Sequence, residues 1–253
     1  MKLTGGKIIT GGKIITGGKI TGIAGGKIIT GGKLITALSA ADLKNTEAAL
    51  PNHIHEFNRE ISEEYFGTNL RLARYGVHGD GSCGYHSICT ALNLNDYVHK
   101  SDKEQKEIAY EFRCSFASKL NHEKLRDIVK KNNGKSPVRL EETQEALCNP
   151  KVWADETTLR FVSEALDMNI IFLDMMKNKV YCGMHHDDAF SKKAPKTMIV
   201  CWINHSHFEP VAQILSVGPR VSEVRVIFNP AESEKDAELV QTLMKRYAQQ
   251  CEL

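Results

Sequence analysis

Residues 153–174, WADETTLRFVSEALDMNIIFLD, change character half-way along. Asp155 is a helix-capping residue type, and Leu159, Val162, Ala165 and Leu166 recur at the spacing of one helix face. Asn169 to Asp174 then make a short, apolar, β-branched run that suits a buried strand. A helix running straight into such a strand is an α/β signature. Downstream, KVYCGM (179–184), KTMIVCWIN (196–204), HFEPVAQIL (207–215) and EVRVIF (223–228) predict further strands, and DAELVQTLMKRYAQQ (236–250) reads as an amphipathic helix. Upstream, residues 101–120 open with Ser101 and Glu104, an S-x-x-E capping box, and set Ile108, Phe112, Phe116 and Leu120 four residues apart on one face. NHEKLRDIVKKN (121–132) and LEETQEALCN (140–149) predict two more helices, stopped by Gly134 and Pro150. Helices first, then strands, then a closing helix predict an α/β (α+β) fold: a small, mixed, mostly antiparallel sheet flanked by a helical lobe.

The chain has 253 residues, 42% hydrophobic and 25% charged, an ordinary globular composition with length enough for one main core. No apolar window of membrane-spanning length occurs, and the N-terminus lacks the pattern of a signal peptide; a cytoplasmic protein without membrane contact is the expectation. Seven dispersed cysteines with no C-x-x-C pair argue for reduced thiols, mostly filling the core, rather than a disulfide framework or a zinc knuckle. The net charge of +2 is asymmetric: residues 1–36 carry six lysines and no acid, which leaves −4 for the remainder. Nothing in that mildly acidic body resembles the basic stripe of a nucleic-acid binder, whereas a basic protein partner is compatible with it.

Residues 1–36 repeat GGKIIT and its variants GGKIT and GGKLIT. Two glycines per six-residue unit leave no helical face, and the units are too few for a stacked β-helix, so the segment reads as a flexible or weakly β-prone tail. Residues 37–66 read as a linker with short helical pieces, 67–228 as the body and 229–253 as a C-terminal helix.

Chemistry concentrates in HGDGSCGYHS (78–87). Cys83 precedes a helical run, where the N-terminus of a helix favours a thiolate, and Gly81 and Gly84 let backbone N–H groups approach a substrate oxygen closely. Local spacing leaves Cys83 open between core filler and nucleophile. Far downstream, His207 and Glu209 alternate on a predicted strand and so share one side, a base with a carboxylate to orient it. His185, His186, Asp187 and Asp188, or His205 with His207, lack the spacing of a metal site and read as polar loop; His86 reads as a surface or core histidine.

DGSCGYHS at 80–87, the block from Trp153 to NIIFLD, and HFEPV at 207–211 together resemble, in order and spacing, the ovarian tumour (OTU) family of papain-like deubiquitinating cysteine proteases, over roughly residues 67–228. The resemblance implies Cys83 as nucleophile and His207 as general base. Glu209 stands where the family has an Asp or Asn that orients the histidine, with Asn204 as an alternative orienter. Asp80, Gly81 and Ser82 match the oxyanion loop, and Trp153 matches a packing residue of the central helix. It also implies no metal or organic cofactor, and ubiquitin or a ubiquitin-like protein and its conjugates as partner. Two departures stand out: Glu209 is one methylene longer than the usual Asp, and Gly84 replaces a bulky apolar residue. They keep open a catalytically weak ubiquitin-binding module, or a thiol hydrolase or acyltransferase with another substrate.

Overall fold

The computed structural model describes residues 7–10, 13–16, 35–36, 53–131, 139–152, 156–182, 196–204, 206–217 and 222–251. Within the repeats, β1 (Lys7–Thr10) pairs antiparallel with β2 (Lys13–Thr16), one unit against the next, and β3 (Ile35–Thr36) joins the main sheet. The body runs β4 (Ile54–Glu56), α1 (Arg59–Phe66), β5 (Leu72–Tyr75), α2 (Cys83–Leu92), a 3-10 segment at Leu94–His99, α3 (Asp102–Ala117), α4 (His122–Lys131) and α5 (Leu140–Cys148). It continues with α6 (Glu156–Leu166), β6 (Asn169–Asp174), β7 (Lys179–Cys182), β8 (Thr197–Ile203), β9 (His207–Val217), β10 (Ser222–Arg225), β11 (Ile227–Phe228) and α7 (Glu234–Cys251). No helix among the described residues is long and apolar enough to cross a membrane.

The main sheet runs β3, β10, β9, β8, β6, β7, with β5 added to β9, β4 to β5 and β11 to β8. Among the described strands only β6 and β8 pair in parallel. This is the mixed, mostly antiparallel α/β sheet that the sequence predicts. Alternate side chains on each strand point to opposite faces, and the core divides accordingly. Ile170 and Phe172 of β6 with Met198 and Val200 of β8 pack against α2, α3 and α6. Ile171, Leu173, Ile199 and Cys201 meet Phe66 of α1 and Leu239, Leu243 and Met244 of α7 on the other face. Strands buried on both faces read as continuous apolar runs, which is why NIIFLD and TMIVCWI show little polar alternation.

The predicted capping box forms: Ser101 Oγ accepts from Glu104 N–H, and the Glu104 carboxylate accepts from Ser101 N–H. Phe112, Phe116 and Leu120 are buried and Ile108 packs at the margin, so α3 faces the core along the expected stripe. At the end of α6, Asp167 adopts a left-handed conformation (φ 49°) that turns the chain into β6.

One expectation is overturned. The dispersed cysteines read as reduced thiols, yet Cys114 and Cys148 form a disulfide, their Cα atoms 4.4 Å apart. Cys114 lies on α3 and Cys148 at the end of α5, and the packing of those two helices, invisible in a spacing of 34 residues, brings them together. Cys83, Cys89 and Cys201 are free and buried.

Candidate active site

Cys83 is the first residue of α2, with Ser82 at the N-cap. The Ser82 hydroxyl makes no bond to the helix; it accepts instead from Arg113 Nη1 at 3.0 Å. The loop before it is shaped by Gly81, whose φ of +82° lies in the left-handed region and whose missing Cβ leaves room for the Pro150 carbonyl. Any side chain there would meet both backbone strain and a clash, so this glycine is a requirement of the loop.

Asp80 turns its carboxylate back into the protein. Oδ1 accepts from Ser82 N–H at 3.1 Å, and His86 Nε2 lies 3.0 and 3.1 Å from the two oxygens. The other nitrogen of His86 meets the Tyr97 hydroxyl. Burial pushes the Asp80 carboxyl up, but the bond and charge of His86, with Ser82 N–H and Lys106, outweigh it and hold the group below its ordinary range. Burial also lowers the pKa of His86 against the pull of Asp80, so its imidazole is neutral. With a carboxylate accepting at Nε2, that nitrogen carries the proton, and Nδ1 accepts from Tyr97 O–H. His86 is therefore a core histidine that fixes the cysteine loop. Ser82 N–H is engaged by Asp80 and so is not available to a substrate oxygen.

Arg113, fully buried on α3, clasps the loop from below. Its Nε donates to Leu147 O at 2.6 Å, Nη2 to Ala146 O and Val152 O at 3.1 and 2.9 Å, and its guanidinium lies over the Tyr85 ring. Carbonyls at the C-terminal end of α5 carry partial negative charge and balance the cation. Replacing Arg113 with methionine keeps the bulk and strands these acceptors. We expect a loss of about 3 kcal/mol in stability, read as a lower urea midpoint with an unchanged slope.

His207 opens β9, and its partner in register on β8 is Ile203. The imidazole interacts with Cys83, and its Nε2 lies 3.5 Å from Glu209 Oε1, a charge contact longer than an ordinary hydrogen bond. The interaction with Cys83 first and Glu209 second raises His207 to about 9, against the opposing effect of burial. Burial pushes the Glu209 carboxyl up, but the bond to His207 and the charges of Arg74, His207 and His55 bring it below its ordinary range. Glu209 thus reaches the ring in spite of its extra methylene. Asn204 is exposed in the preceding turn, with φ 50°. Trp153, His205 and residues 185–188 lie outside the described residues.

Gly79, Gly81, Cys83, Ser206 and His207 line one open cleft of about 380 Å³. Two of its walls are bare backbone, so it admits a narrow chain beside the thiol. Gly84 faces Phe208 of β9: a Cβ built on it would sit 3.7 Å from the Phe208 ring, an ordinary contact. Alanine fits there. Gly84→Ala is expected to raise stability by up to about 1 kcal/mol, measured by denaturant unfolding.

Residues 78–209 match the family described as OTU-like cysteine protease, a span covering half of the chain. The chain belongs to that family. Among solved structures, this OTU chain is similar to one titled "Structure of Ovarian Tumor (OTU) domain in complex with Ubiquitin", with 16% identity, a TM-score of 0.46, and coverage of 80% of this chain and 97% of that one. A second, "Structure of OTUD1 OTU domain", has 15% identity and a TM-score of 0.38, covering 55% and 85%. No curated protein matches the chain.

The structure brings together Cys83, His207, Glu209 and the Asp80–Ser82 loop, which the sequence singles out. Arg74, Arg113 and Tyr97 act across distances that leave no local pattern in the sequence. Ser206 had a signal, its place beside HFEPV.

Proposed function

We propose that this OTU-family protein is a deubiquitinating cysteine protease that hydrolyses peptide or isopeptide bonds after the C-terminal Gly-Gly of ubiquitin or a ubiquitin-like protein. The observation that carries the reading is the shared cleft, in which Cys83 and His207 meet between the glycine walls of Gly79 and Gly81. Such a slot suits a substrate tail that itself lacks side chains.

In the reaction, His207 takes the proton of the Cys83 thiol and the sulfur attacks the terminal glycine carbonyl carbon. Charge gathering on the carbonyl oxygen is met by backbone N–H groups of the loop. As the C–N bond breaks, His207 returns the proton to the leaving amine, leaving a thioester on Cys83. Water then attacks the thioester with His207 accepting its proton, and the carboxylate and free thiol are released. Glu209 keeps the imidazole oriented and favours its protonated form throughout.

The test is a panel of C-terminal fluorogenic reporters: ubiquitin, ubiquitin-like proteins and a short peptide ending in Gly-Gly. Binding energy from the folded modifier should make the best protein reporter at least about 100-fold faster in kcat/KM than the peptide. Equal rates on the peptide would remove the modifier from the reading, and no turnover of any reporter would remove the activity.

A further inference from the structure

We propose that Arg74 belongs to the site as a positioning residue: it anchors Glu209 so that this long carboxylate stays against His207. Arg74 Nη1 donates to Glu209 Oε2 at 2.9 Å while Glu209 Oε1 faces His207 Nε2 at 3.5 Å, so one carboxylate bridges a permanent cation and the imidazole. The strand register makes the reach possible. Arg74 of β5 sits opposite Val211 of β9, which puts Glu209 on the diagonal two residues away, within the span of a long side chain. Glu209 is buried and Arg74 about a third exposed, so the pair is largely shielded from water.

A glutamate has one more rotatable bond than an aspartate, and an unanchored one in a half-open site would leave the ring for solvent. The shorter, stronger bond is the one to Arg74; the contact with His207 follows from it. The other titratable groups around the pair are Cys83 from α2, His55 of β4, which pairs with Arg74, and Cys201 of β8, which sits opposite Glu209. None of these supplies a second permanent cation.

The inference deepens the proposed function and rests on it for its kinetic arm, so the test also reads the resting protein. NMR titration of the His207 ring is compared in wild type, Arg74→Met and Arg74→Lys. If Arg74 anchors Glu209, losing it frees the carboxylate and the His207 pKa falls from about 9 toward the ordinary imidazole value, with lysine restoring part of the difference. If Arg74 merely competes with His207 for the carboxylate, Arg74→Met lets Glu209 turn fully to the ring and the value rises. A rise, or no change, overturns the inference. In a Glu209→Gln background, Arg74→Met should shift His207 no further; an undiminished shift there would likewise overturn it. On a ubiquitin reporter, Arg74→Met is expected to lower kcat about tenfold with KM unchanged, because Arg74 does not line the cleft. A wild type that cleaves no reporter defeats the proposed function and leaves the titration to decide the role of Arg74.

Discussion

Replacing Cys83 with alanine is expected to lower turnover of a ubiquitin reporter by about 10⁴-fold or more and to abolish covalent capture by a ubiquitin bearing a thiol-reactive C-terminus. Among the described residues that line the cleft the thiol is the one sulfur, and without it no thioester can form there. The fold should barely respond. Alanine suits the first turn of a helix, and the side chain gives up one sulfur atom, so stability should change by no more than about 1 kcal/mol. Those two readings together make the experiment decisive. An inactive variant with wild-type unfolding assigns the loss to chemistry. A variant retaining more than about 1% of turnover would mean that the bond is broken without a thioester, and Cys83 would return to being a small buried residue at a helix start.

The parts of this site that could be read in advance share a physical property: they depend on short-range pattern. Ser101 and Glu104 cap α3 through bonds three residues apart, and His207 and Glu209 share a side because strand residues alternate. Cys83 sits at a helix start because the sequence turns helical there. What could not be read depends on where distant elements meet. β5, the stretch LARY, is too short to show a period, yet it carries Arg74 to Glu209 across 135 residues. Arg113 reads as one polar residue on an amphipathic helix, and only the packing of α3 on α5 makes it the clasp of the cysteine loop. The same packing forms the Cys114–Cys148 bond. The departure at Gly84 looks unfavourable in a helix taken alone, and the packing does not require it, since a Cβ there would make an ordinary contact with Phe208.

His207→Ala is expected to lower kcat by about 10³-fold at neutral pH, because one ring serves both to take the thiol proton and to return it to the leaving amine. Its pH dependence separates this role from a structural one. With the imidazole raised to about 9, the protonated ring persists through neutral pH, and turnover should fall as the pH passes about 9 and the acid for the leaving group is lost. Stability has a matching signature. The folded value lies above the ordinary 6.5 of an unfolded chain, so the stabilisation from protonated His207 is fully present below pH 6.5 and is lost as pH rises through about 9. The ring is a quarter exposed, and solvent screening reduces that contribution to about 2 kcal/mol. The stability gap between wild type and His207→Ala should therefore be widest below pH 6.5 and narrow across that window, read from urea unfolding at a series of pH values. A gap independent of pH would mean that His207 is not held protonated by Cys83 and Glu209. A reporter assay whose alkaline limb stayed unchanged above pH 9 would assign the leaving-group proton to another residue.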